Sequence, residues 1–157
     1  MQYLIDHPED ISEYRQLAYK PHFRRIDPSF IEEHPCLGKW KIIVPKSNGT
    51  RAIGEILSTP LIGYTQSFIG IGAFNEQTEA MTALKYVKSK FARTLLGILK
   101  VTQDNSKETW RFVPLQNFTS KSDIDWSKNI SEIDTQLYAK YGLSEEIFFI
   151  ESMIKPM

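Results

Sequence analysis

The stretch from Asn75 to Lys100, NEQTEAMTALKYVKSKFARTLLGILK, constrains the fold of this chain more than any other. Ala80, Leu84, Val87, Phe91, Leu95 and Ile98 recur at three- and four-residue steps, which places them on one face of a helix. Asn75 stands where it can cap the start. Glu76 and Glu79 fall in the first turn, where the helix dipole favours carboxylates, and Lys100 closes the segment. At about 100° per residue, Lys85, Arg93 and Lys100 project away from the apolar stripe, with Lys88 and Lys90 on its flanks. From Ala80 through Gln103 there are five cations and no carboxylate. The expectation is one long core helix whose outer face calls for an anionic partner.

Charge along the chain sharpens that expectation. The 157 residues carry 19 basic and 19 acidic side chains, yet residues 1–38 hold four bases and seven acids. Residues 39–111 hold eleven bases and five acids, and residues 112–157 return to four against seven. A basic centre between acidic ends fits a polyanion-binding face, unless folding sets the acids against the bases and cancels the field. The length suits a single domain with a core of its own. Cys36 is alone, so no internal disulfide can form, which suits a reducing compartment. No apolar run approaches the ~18 residues a membrane span requires, and the acidic N-terminus is unlike a signal peptide. The chain is therefore expected to be cytoplasmic, with no membrane partner.

Residues 1–38 read as an irregular entry segment, interrupted by Pro8, Pro21, Pro28 and Pro35. Within it, Ile11 to Tyr19 could form one short helix behind Asp10. Arg24, Arg25 and His22 lie near Tyr19 and Phe23, a cluster that could touch nucleic acid or simply pack a loop. Lys39–Pro45 (KWKIIVP) reads as a strand leading into an Asn48-Gly49 turn. Ile53–Leu57 and Ser67–Phe74 are further strands, the latter weakened by Gly70 and Gly72 or opened by them to a close neighbour. Gly70-Ile71-Gly72 lacks the third glycine of a nucleotide-binding turn. After the long helix comes a polar connector, then a strand over Thr109–Pro114 (TWRFVP). A helix follows near Ser131–Tyr141, ending at Gly142, and a last one over Glu145–Lys155 behind Ser144. The fold class expected is α+β, a mainly antiparallel sheet packed on one long helix with two C-terminal helices.

Catalytic patterns are lacking. A restriction nuclease needs an acid followed by a Glu/Asp-x-Lys pair to hold magnesium; Asp123 and Asp125 have no such partner, because Lys128 lies too far along. His34 and Cys36 have no second pair of ligands to complete a zinc site. No serine sits in a nucleophile-elbow context. No catalytic residue and no metal ligand is therefore assigned. Binding is better supplied. Lysines and arginines that displace condensed counterions give affinity for duplex DNA, and here Lys46, Arg51, Lys85, Lys88, Arg93 and Lys100 are candidates. Base edges are read by side chains that donate and accept, for which Asn48, Arg51, Gln103, Asn105 and Lys107 lie on expected loops. Trp40, Phe91 and Trp110 sit inside periodic elements and are expected in the core.

Three phrases taken together resemble a known family: WKIIVPKSNG (residues 40–49), KYVKSKFARTLLGILKVTQ (85–103) with WRFVPLQNF (110–118), and LYAKYGLSEEIFFIESMIKPM (137–157). In this order and spacing they are similar to the C-terminal portion of bacterial restriction–modification adenine-N6 DNA methyltransferases, of the type II or IIG kind, over residues 37–157. The resemblance implies a target-recognition region that follows a catalytic domain. That domain binds S-adenosylmethionine and carries an Asn/Asp-Pro-Pro-Tyr/Phe loop for the flipped adenine. This chain contains no Pro-Pro pair and hence no such loop, so the resemblance supplies the recognition half without the methyl-transfer half. A fragment, a truncated gene and a separate specificity polypeptide all remain open.

The reading is thus an entry segment (1–38) and a DNA target-recognition-like domain (39–157), non-catalytic and without a cofactor of its own. Its partners would be double-stranded DNA and a methyltransferase catalytic domain or subunit. The basic helix would anchor phosphates, and the loops at 46–51 and 102–107 would read bases. Two alternatives stand beside it. One is a protein-docking domain that couples the methyltransferase to a partner without touching DNA, marked by an exposed apolar patch from Phe148, Phe149 and Met153. The other is a degenerate restriction endonuclease with carboxylates gathered from distant parts of the chain.

Overall fold

The computed structural model describes residues 34–47, 56–58, 60, 62–64, 67–99 and 107–154. The alternating, β-branched segment Trp40–Pro45 forms β1, the centre of a three-stranded antiparallel sheet in the order β2-β1-β3, with β2 at Ile56–Ser58 and β3 at Phe68–Phe74. Ile42 pairs with Leu57 on one side and Ile71 on the other. Because β1 is central, all of Lys41–Val44 is buried. Lys41 is accommodated there by donating its ammonium to the carbonyls of Cys36 (3.1 Å) and Lys39 (3.0 Å), while burial pushes its pKa down. The whole is an α+β domain.

The expected long helix is two helices. α1 spans Gln77–Lys88 and α2 spans Lys90–Leu99, separated by Ser89 with extended backbone (φ −60°, ψ 148°). Ser89 is itself a cap: its Oγ accepts from the Ala92 N–H at 3.1 Å. The break changes the phase of the buried face. Ala80, Val87 and Phe91 are buried as the spacing predicts, whereas Ile98 is 69% exposed and Arg93 is 6% exposed. The start also differs, since Glu76 rather than Asn75 precedes the first turn, and no side chain caps it.

Two clusters form the core. Ile42, Val44 and Ile69 of the sheet meet Ala83 and Val87 of α1 and Leu96 of α2. Tyr86, Phe91 and Ala92 meet Ile124, Trp126, Ile133, Leu137, Tyr138 and Ile150. Val113 and Phe118 pack against both and join them. The second cluster is built largely by α4, Ile130–Tyr141, whose ends match the sequence closely. Asn129 and Glu132 form a reciprocal capping box, and Gly142 closes the helix in the left-handed conformation at φ 66°. The last helix, α5, is shorter than expected, running Ile147–Met153 with Glu146 ahead of it in place of Ser144; Lys155 lies outside the described residues.

Residues 109–114 are not a strand. α3, Lys107–Trp110, is followed by turns in which Phe112 and Val113 donate to the carbonyls of Thr109 (3.4 Å) and Trp110 (3.1 Å). Local bonds satisfy the backbone, and Trp110 and Val113 both pack on the sheet cluster. Strand propensity yields to that packing. Of the entry segment, only residues 34–38 are among those described, as turns; the short helix expected over 11–19 and the cluster around Arg24 lie outside them.

Two glycines shape β3. An ideal Cβ on Gly70 would run into the Tyr64 ring, and one on Gly72 into the Phe74 ring. Gly72 also has φ 73°, where the register slips by a residue between Trp40 and Ile42. The close neighbour admitted by each glycine is therefore an aromatic ring. Gly72→Ala combines left-handed backbone strain with a ring clash and is expected to cost about 2 kcal/mol. A urea titration should show the midpoint falling with an unchanged slope.

Candidate nucleic-acid interface

The helix cations are mostly engaged inside the domain. Lys85 donates its ammonium to the carbonyls of Trp126 (2.8 Å) and Lys128 (3.1 Å), tying α1 to the turn that precedes α4. Lys90 is ion-paired with Glu151 of α5. Arg93 is buried, with a partner of its own, and Lys88 is half-buried and likewise engaged. The expectation that Lys85 and Arg93 project into solvent opposite the apolar stripe is therefore corrected. The break at Ser89 turns Arg93 inward, and the 126–128 carbonyls draw Lys85 onto the domain.

The same junction gathers several ionisable groups, the buried Asp134 and Tyr138 among them. Asp134 of α4, 2% exposed, accepts from the backbone N–H groups of Lys90 (3.0 Å) and Phe91 (2.9 Å). Burial raises its pKa, and these two hydrogen bonds oppose the rise. Glu151 accepts from Lys90 and from the Tyr138 hydroxyl (3.0 Å), and the Lys90 bond holds its carboxyl below the usual range. Burial raises the Tyr138 phenol in turn. These groups cap and join helices.

The loops fare differently. Lys46 is exposed where β1 leaves the sheet, its N–H bonded to the Ser67 carbonyl at 2.9 Å. Lys107 opens α3. Asn48, Arg51, Lys100, Gln103 and Asn105 lie outside the described residues, as does the Lys107 side chain. What the structure does locate is the root of each loop. Val44 of β1 and Leu96 of α2 belong to one buried cluster, a single turn or less from the last described residues before the two loops.

Two exposed apolar features stand out. On α5, Phe148 is 84% exposed and Phe149 55%, with Ile147 and Met153 beside them. After α3, Phe112 and Leu115 are exposed, and the Arg111 guanidinium lies over the Phe112 ring at 4.9 Å. The residues after α3 escape a sequence reading that treats them as strand. The signal available for them was the absence of any carboxylate from Arg111 to Ser122.

Asp123 and Asp125 are occupied in turns. Asp123 pairs with Lys140 at 2.8 Å, and Asp125 accepts from the Ser127 N–H (3.0 Å) and hydroxyl (2.6 Å). These bonds hold both carboxyls below their usual range. Among the described residues no group of three or more His, Cys, Asp or Glu is placed to hold a metal. His34 Nδ1 accepts from the Cys36 N–H at 3.2 Å. Phe68-Ile69-Gly70-Ile71-Gly72 matches Phe-x-Gly-x-Gly in its letters, with both glycines inside β3 ahead of α1. No described helix is long and apolar enough to cross a membrane. Trp40 and Trp110 are half-buried and Phe91 is buried. Comparison with protein-family models, curated proteins and solved structures finds no match to the chain.

Lys85→Met separates a structural cation from a DNA-binding one. It should lower stability by about 1 to 2 kcal/mol through loss of two charge-assisted bonds. The salt dependence of any DNA binding should stay the same; a slope reduced by about one would return Lys85 to the interface.

Proposed function

We propose that this domain is the non-catalytic target-recognition region of a restriction–modification adenine-N6 DNA methyltransferase. It would act in the cytoplasm beside a catalytic domain or subunit that holds S-adenosylmethionine. The proposal rests on the resemblance of the three phrases. The structural observation that supports it most is that Val44 and Leu96, each three residues before the last described residue ahead of a candidate loop, belong to one buried cluster. The segments that follow them would present Lys46, Asn48, Arg51, Gln103, Asn105 and Lys107 to duplex DNA. Cations there would neutralise phosphates, and the amides would donate and accept at adenine edges. The role first given to the α1–α2 cations passes to the loops, with Lys100 at the edge of the second one.

A second reading is favoured by α5. Phe148 and Phe149 together form an exposed apolar patch on a short helix, with Glu145 and Glu146 also exposed beside it. Such a patch fits a protein-docking surface, through which the domain would couple to its catalytic partner.

Fluorescence anisotropy of a labelled random duplex, titrated at two salt concentrations, tests the first reading. Affinity should fall steeply with salt, and Lys46→Glu with Arg51→Glu should weaken binding to all sequences alike and reduce the slope by about two. An absence of binding at low salt rejects DNA recognition and leaves α5 docking as the function. Phe148→Ser with Phe149→Ser should leave DNA affinity unchanged.

A further inference from the structure

Apolar side chains are exposed at a cost unless something covers them, and a segment that is both rigid and apolar at its tip is suited to insertion. The segment following α3 has this form. Leu115 is 90% exposed and Phe112 53% exposed. The backbone that carries them is held from several sides. The Val113 N–H donates to the Trp110 carbonyl at 3.1 Å, and the Tyr86 hydroxyl donates to the Pro114 carbonyl at 2.7 Å. Gln116 is 6% exposed, and its amide donates to the Tyr141 hydroxyl at 2.8 Å and to the Pro114 carbonyl at 3.1 Å. Val113 and Phe118 pack into both core clusters. Phe112 and Leu115 are thus presented on a fixed base, so little backbone freedom remains to be lost on binding.

Charge selects the occupant. Between Arg111 and Ser122 there is no carboxylate, and the two cations, Arg111 and Lys121, are both exposed. The Arg111 guanidinium is stacked 4.9 Å from the Phe112 ring centre, a flat cation prearranged beside a flat apolar surface. Asn117, Thr119 and Ser120 are exposed beside them and supply polar groups. A polymer that alternates phosphates with aromatic faces matches this mixture. An anionic bilayer would match the cations, but two apolar side chains among exposed polar ones offer it little area to bury.

We propose that Arg111, Phe112, Leu115 and Lys121 form a nucleic-acid wedge, in which the cations take phosphates and Phe112 and Leu115 press against base or sugar surfaces of duplex DNA. The inference rests on the target-recognition reading and adds a contact outside the two loops. Phe112 and Leu115 would contribute energy of a different kind, apolar and independent of salt, where Arg111, Lys121 and the loops supply the salt-dependent part.

Binding of a labelled duplex by the full chain across a salt series separates the two. Phe112→Ala with Leu115→Ala, both surface changes, should lower affinity about tenfold at every salt concentration without changing the slope. Arg111→Gln should lower the slope by about one. If the wild-type chain binds duplex and the double variant binds equally well, the wedge is rejected and the loop reading survives. If the wild-type chain binds no duplex at low salt, both fall. Association with phosphatidylserine vesicles that is lost in the double variant, while duplex affinity is unaffected by it, would assign the segment to a lipid surface instead and overturn the proposal.

Discussion

The contact on which the arrangement of helices depends is the Asp134 carboxylate against the first N–H groups of α2. A helix N-terminus leaves donors without partners, and a buried one must find acceptors. Ser89 supplies one from within the turn, and Asp134 supplies the other from α4. The anion also meets the positive end of the helix dipole. This lets the chain break between Lys88 and Lys90 while the N–H groups of Lys90, Phe91 and Ala92 keep acceptors. The consequences spread from there. α2 is re-phased, Arg93 turns inward, Phe91 stacks on Tyr141 with ring centres 4.8 Å apart, and Lys90 reaches Glu151 to bring in α5.

Local signals were legible and distant ones were not. β1 declared itself by alternation and β-branching, and the end of α4 by Gly142, because in both cases the determining residues lie in or next to the element. The break at Ser89 could not be read the same way. Ser89 is an ordinary residue in a helical pattern, and the acceptor that favours the break stands more than forty residues further on. TWRFVP failed for a related reason: its apolar alternation is real, but Trp110 and Val113 are drawn onto the same cluster, which needs a turn. Residue type locates the cations along the chain. Their surroundings, which decide whether a lysine meets solvent or a carbonyl, depend on tertiary packing.

The division of charge follows from this. A sequence with five cations in a row of helical positions suggested an open basic face. In the folded domain Lys85 and Lys90 hold neighbouring segments, and Arg93 is buried. Exposed basic character is found at Lys46 and from Arg111 to Lys121, beyond the ends of the helices. A recognition role, as proposed, would fall to loops and turns, which is where readable side chains have reach.

Amide hydrogen exchange at Lys90 and Phe91 tests the central claim most directly. With Asp134 as their acceptor, both amides should be protected in the wild-type chain and lose at least about tenfold of that protection in Asp134→Ala, while Ala83 and Val87 in α1 keep theirs. A helix continuous through Ser89 would bond these amides to carbonyls of the preceding turn. Undiminished protection at Lys90 and Phe91 in the variant would therefore contradict the break, and with it the inward turn of Arg93.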